Sequence, residues 1–281
     1  MRLLKQLLPV AAVAFVGGQA IVLVEGNAFL TLAIGIASAV LAVFVYARAV
    51  RWSEHRVPVE VAAEGAATRI GLGMLLGVGW CAAVMMNIAF LGGYRVDGFG
   101  SPAGPIGLFG FMAAAAVTEE LLFRGILFRI VEERTGTWMA LTLTGVLFGL
   151  SHLLNPHASL WGAIAIAIEA GAMLAAAYAA TRTLWVPIGV HFGWNFALGG
   201  IFGAEVSGNG ANEGLLNGVM SGSDLLTGGR FGPEGSPYTV LIGVLLTIVF
   251  MWTARRRGNV VPRRRRAARA ARADAAATLS Q

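Results

Sequence analysis

The chain has 281 residues, 57% of them hydrophobic and only 13% charged, with a mean hydropathy of +0.71 and a formal net charge of +6. An ordinary soluble domain carries roughly 25% charged residues, so this composition excludes a soluble globular protein and points to a polytopic membrane protein. The single cysteine, Cys81, excludes an internal disulfide and, inside an apolar run, reads as a core residue.

Apolar stretches near the ~20 residues needed to span a bilayer occur at about 7–24, 28–48, 70–92, 105–130, 138–154, 159–181, 185–202 and 238–253. They predict an all-α fold, a polytopic membrane helix bundle with about eight transmembrane helices. The first stretch has a signal-peptide alternative, because Arg2 and Lys5 precede an apolar core and "GGQA" offers small residues for cleavage. The apolar run continues through "IVLV", which favours a span. The chain then divides into spans 1–3 with a cytoplasmic loop (1–100), a core of spans 4–7 (101–205), an outer loop (206–237), a last span (238–254) and a basic tail (255–281). The outer loop is rich in Gly, Ser and Asn, which reads as a loop with some order or as a lid. The 38 glycines suit close helix packing in lipid.

Basic residues set the orientation. With the N-terminus inside, the inner connections hold Arg2, Lys5, Arg48, Arg51, Arg56, Arg69, Arg129, Arg134, Arg182 and the tail, and the outer ones hold Arg95 and Arg230. Both termini are expected on the cytoplasmic face of the plasma membrane. The arginines of the tail read as an anchor for anionic lipid, with no nucleic-acid partner expected.

The informative residues are the ionisable ones inside spans: Glu119, Glu120, Arg124, His152, Glu169 and His191. A charged group in hydrocarbon costs ~2.5 kcal/mol or more, so such residues face a protein interior or a wet cavity. Glu120 and Arg124, four apart, share a helix face and can neutralise each other; Glu119 then points about 100° away. Counting ~1.5 Å per residue from the inner ends, Glu119 lies roughly 16 Å deep, His152 roughly 21 Å, His191 roughly 10 Å, Asn195 roughly 16 Å and Glu169 roughly 18 Å. His191 and Asn195 also share a face. A carboxylate, two imidazoles, an amide and an arginine at one level make a reasonable hydrolytic site. Glu169 reads either as a hydrogen-bonded core residue or as a wall of the same cavity.

The three segments "EELLFR" (119–124), "FGLSH" (148–152) and "HFGWN" (191–195) fit the patterns E-E-x-x-x-R, F-x-x-x-H and H-x-x-x-N. In this order, each inside a span, they resemble the CAAX-protease and bacteriocin-processing (CPBP, or Abi) family of intramembrane endopeptidases, over roughly residues 100–205. The resemblance implies that Glu119 and His152 activate the attacking water, that His191 and Asn195 stabilise the oxyanion, and that Glu120 and Arg124 hold those groups in place. It implies a membrane-embedded or lipid-anchored protein or peptide substrate, in the manner of a type II CAAX prenyl endopeptidase. Glu119, His152 and His191 could supply a zinc set with water as fourth ligand. The chain has no H-E-x-x-H helix, and the similar CAAX endopeptidases work by glutamate-activated water, so no cofactor is the favoured expectation. Two other classes compete: a non-catalytic scaffold or immunity protein that keeps the motifs, and a secondary transporter, for which repeated halves or broken helices would be expected.

Overall fold

The computed structural model describes residues 1–210 and 213–263; the arginines of the tail beyond residue 263, and the lipid contact expected of them, lie outside the described residues. In chain order the helices are α1 (Arg2–Val22), α2 (Ala28–Glu54), α3 (Ala66–Phe90), α4 (Ala103–Thr135), α5 (Thr137–Leu154), α6 (Leu160–Thr181), α7 (Trp185–Asn195, continued by a π turn at Phe196–Ile201) and α8 (Pro237–Arg256). All but α7 are long and apolar enough to cross a membrane, seven helices among the described residues. Every expected span is therefore helical. Their ends follow local chemistry: Asn27 Oδ1 accepts from the Leu30 amide at the start of α2, and Ser236 with Pro237 opens α8.

Two strands were not expected. β1 (Tyr94–Phe99), between α3 and α4, pairs antiparallel with β2 (Leu216–Met220), which lies inside the 206–237 connection. That connection also holds a short helix, Asp224–Thr227, and two tight helical turns, so the order expected of the loop takes the form of these elements.

Glycines decide which helices touch. Gly73 and Gly77 of α3 face Gly189 and Gly193 of α7 so closely that a Cβ on Gly77 would sit 2.2 Å from the Val190 carbonyl oxygen, and one on Gly193 2.5 Å from that of Met74. This is a small-xxx-small seam used from both sides. It encloses α7: from Pro187 to Asn195 every residue is buried. In the same way a Cβ on Gly35 of α2 would meet the Gly110 carbonyl oxygen of α4 at 2.1 Å.

The end of the bundle where α1 begins and α8 ends is laced with ion pairs. Arg129 meets Glu54 at 2.8 Å, Arg56 meets Glu54 at 2.6 Å and Glu60 at 2.7 Å, and Arg182 meets Glu132 at 2.5 Å. Several basic residues expected on one face thus do lie together. Burial pulls the Glu60 carboxyl up, but hydrogen bonds from Arg56 and Tyr46 outweigh it and hold Glu60 below the usual carboxylate range.

Candidate active site

Four helices bring the intramembrane polar residues together, and three of them are interrupted by a π turn where they do so. On α4 the turn Leu121–Phe128 follows Glu119 and Glu120 and contains Arg124. On α6 the turn Ala167–Ala172 contains Glu169, and on α7 the turn Phe196–Ile201 begins after Asn195. A π turn loosens the regular carbonyl ladder, and such turns recur at functional sites. Here one consequence is visible: Arg124 Nη2 donates to the carbonyls of Ala170 and Gly171, both within the α6 turn, at 3.0 Å each.

Arg124 is 1% exposed and Glu120 fully buried. Arg124 Nη1 donates to Glu120 Oε1 at 2.7 Å, and the same oxygen accepts from His191 Nδ1 at 2.9 Å. The guanidinium also lies over the Phe148 ring, 4.4 Å from its centre. Phe148 in turn supports both histidines, with ring centres 4.8 Å from His152 and 6.1 Å from His191. The Phe of F-x-x-x-H is thereby accounted for: its ring carries Arg124, and its carbonyl faces His152 Nδ1 at 2.7 Å.

These bonds decide which nitrogen is free. A carbonyl can only accept, so His152 Nδ1 carries the proton and a neutral ring keeps its lone pair on Nε2, fit to take a proton. His191 Nδ1 likewise donates to the Glu120 carboxylate, and its Nε2 stands 4.0 Å from Glu119 Oε2. A neutral His191 therefore offers an acceptor at Nε2, and only the cationic ring donates from both nitrogens.

Glu119, His152, His191 and Asn195 line one cavity of about 360 Å³, walled by Phe111, Met112, Ala115 and Phe123 on one side. Ser151, Asn155, Ser207 and Asn209 add polar atoms to its lining. Glu119 is one-third exposed to it. A second, deeper cavity adjoins, sharing His152, His191, Asn195 and Ser207, with room for water centres of about 20 Å³. That is the space of one water. Trp80, Glu169 and Glu234 line this deeper part, and both Glu169 oxygens and Trp80 Nε1 lack a hydrogen-bond partner among the described residues.

The structure thus brings together all the residues singled out from the sequence. Glu119, His152, His191 and Asn195 face the open cavity, Glu120 and Arg124 lie behind it, and Glu169 faces the deep cavity. Ser207 and Glu234 were missed because they sit in the Gly-rich connection, where the intramembrane-charge criterion does not apply. Among the described residues no three His, Cys, Asp or Glu side chains gather closely enough to hold a metal ion, so Glu119, His152 and His191 do not form a ligand set in this conformation.

A helix bundle built for a membrane, with a carboxylate, two imidazoles and an amide around one cavity, defines a polytopic membrane protein whose side chains suit acid–base chemistry. Residues 101–197 match the family described as type II CAAX prenyl endopeptidase Rce1-like. The match takes in all three motifs and bears out the resemblance drawn from them. The chain is also 34% identical over 79 residues to a Bacillus subtilis (strain 168) protein named "Putative membrane peptidase YdiL". That alignment spans 28% of this chain and 30% of the relative, so the likeness covers less than a third of either. No solved structure matches the chain.

Proposed function

We propose that this protein is an intramembrane endopeptidase that hydrolyses a peptide bond of a membrane-embedded or lipid-anchored substrate with glutamate-activated water and without metal. The observation that carries the reading is the convergence of Glu119, His152, His191 and Asn195 on one cavity, with the buried Glu120–Arg124 pair behind them. Glu119, the carboxylate that faces the cavity, takes a proton from water as the water attacks the scissile carbonyl, and His152 Nε2 helps orient that water. The oxyanion is stabilised by the Asn195 amide and by His191 in its cationic form. Glu119 then returns the proton to the leaving amine, so the proton count closes within the site. Glu120 orients His191, and Arg124 ties α4 to the π turn of α6. The apolar wall of Phe111, Met112 and Phe123 suits an apolar segment of substrate. The tail with its arginines is assigned to anionic lipid, and both termini to the cytoplasmic side of the plasma membrane.

The test is cleavage of prenylated and unmodified membrane peptides by the purified protein in detergent, before and after exhaustive chelation. Activity that survives chelation and is lost in Glu119→Gln is the expected result. Wild-type turnover by Glu119→Gln removes Glu119 from the mechanism, and activity that is lost on chelation and returns with zinc overturns the metal-free reading.

A further inference from the structure

Glu234 belongs to no motif, yet it is 3% exposed and reaches from the 206–237 connection into the bundle. Its carboxylate accepts from Trp194 Nε1 at 3.2 Å, from Ser207 Oγ at 3.1 Å and from the Ser207 amide. A buried carboxylate with three donors is a fixed point, because removing any acceptor leaves buried donors unsatisfied. Each donor leads to a different part of the site.

Trp194 precedes Asn195 on α7, and its ring lies 4.1 Å from that of Trp80 on α3. Its orientation is therefore set by α3 on one side and by Glu234 on the other. Ser207 lines both cavities and has φ +53, a left-handed conformation that side chains other than glycine, Asn and Asp adopt at a cost. Such a conformation persists only where the surroundings impose it, and here the Glu234 carboxylate holds the Ser207 amide. The Ser207 carbonyl accepts from Asn155 Nδ2 at 2.6 Å, and the His157 amide donates to the Gly208 carbonyl at 2.9 Å. Both bonds tie the connection to the turn that follows His152. Glu234 also lines the deep cavity together with His152, His191, Asn195 and Glu169.

We propose that Glu234 is a positioning residue of the active site: by holding Ser207 and Trp194 it braces the end of α5, with His152, against α7, with His191 and Asn195. The catalytic part of this inference rests on the peptidase reading; the brace itself does not. Burial alone does not account for the arrangement, since a connection of this length ordinarily runs over the surface. Here it inserts a carboxylate between the two elements that carry the histidines.

The experiment uses the full chain in detergent with two readouts. In a Cys81→Ala background, a cysteine is introduced by Val206→Cys, at a buried position lining the open cavity, and its rate of maleimide labelling is measured. Glu234→Gln keeps the size of the side chain but sets an amide N–H₂ against at least one of the donors. Labelling should rise at least tenfold, and kcat on a cleaved peptide should fall at least tenfold with KM within twofold. Trp194→Phe, which keeps an aromatic ring of smaller size and removes the donor, should change both readouts in the same direction, and the double variant should be no worse than Glu234→Gln alone. If Glu234→Gln does not fold, Trp194→Phe and Ser207→Ala carry the same two readouts. A labelling rate within twofold of the parent overturns the brace, and unchanged kcat despite faster labelling overturns the positioning role. If the parent protein cleaves nothing, the peptidase reading fails and the positioning role with it, while labelling still decides the brace.

Discussion

The buried pair behind the cavity allows a charge to be removed with little change of shape. In Glu120→Gln the amide oxygen can take the place of Oε1 and still accept from Arg124 and His191, while the N–H₂ occupies the place of Oε2, which has no hydrogen-bond partner. What is lost is the negative charge beside a guanidinium that is 1% exposed. The remaining direct contacts of Arg124 are two carbonyls and an aromatic face, which stabilise a cation but do not neutralise it, and the carboxylates of Glu119 and Glu169 act on it only from beyond hydrogen-bond distance. Breaking a buried pair by neutralising one partner costs about 3–5 kcal/mol, a large share of the 5–15 kcal/mol typical of a folded protein. At roughly 2–4 °C per kcal/mol, Tm should fall by about 6–20 °C. The assay is thermal unfolding in detergent, followed by tryptophan fluorescence and checked by size exclusion. A second variant sharpens it: Glu120→Gln with Arg124→Met removes both charges and should recover half or more of the lost Tm. If the single variant unfolds within about 2 °C of wild type, the pair does not do what its burial implies. Turnover should fall less than in Glu119→Gln, because Glu120 acts on the reaction through His191.

The remaining expectations concern single groups. Asn195→Ala should lower kcat by ~10²-fold with little change in KM, as for a lost oxyanion donor; a change confined to KM makes Asn195 a ground-state binder. Glu169 lines the deep cavity with Glu234, His152 and His191 and feels the charge of the Arg124 guanidinium, so Glu169→Gln should shift the acid limb of the pH–rate profile while Tm stays near wild type. An unmoved profile with lowered Tm leaves Glu169 as packing alone. For Glu60, whose folded carboxyl lies below its unfolded value, the stability it confers is present above an unfolded pKa of about 4.3 and lost as pH falls through the folded pKa. The stability gap between wild type and Glu60→Gln should therefore be flat from pH 7 to 5 and shrink at lower pH; a gap that widens on acidification contradicts the sign.

Much of this architecture is legible in the residues themselves. The membrane spans declare themselves by unbroken apolar length, and an ionisable residue inside one is conspicuous because so little excuses it. The spacing of Glu120 and Arg124, or of His191 and Asn195, assigns them to a common face before any coordinate is known. The π turns are a different matter. They insert a fraction of a turn with hardly any change in residue preference, and "LLFRGILF" reads as ordinary apolar helix. The strand pair escapes for another reason: Tyr94–Phe99 finds its partner beyond four intervening helices, and so short a stretch shows no decisive alternation. Glu234 escapes because it is unremarkable among polar loop residues; only its burial and its three donors set it apart.

The glycine seam between α3 and α7 bears on how the protein meets lipid. α1, α2 and α8 are only 22–28% buried over their apolar windows and so feel the surrounding acyl chains directly. When a bilayer is thicker or thinner than a helix prefers, it is such helices that tilt, or the lipid beside them that stretches. α7 has little of that exposure. Its level is fixed by backbone contact with α3, residue against residue, rather than by the position of a hydrocarbon boundary. The candidate site is in this sense moored to protein and not to membrane, and the same protein placed in short-chain and long-chain phosphatidylcholine should keep the spacing of His191 and Asn195 to Glu119 while its outer helices change their slant.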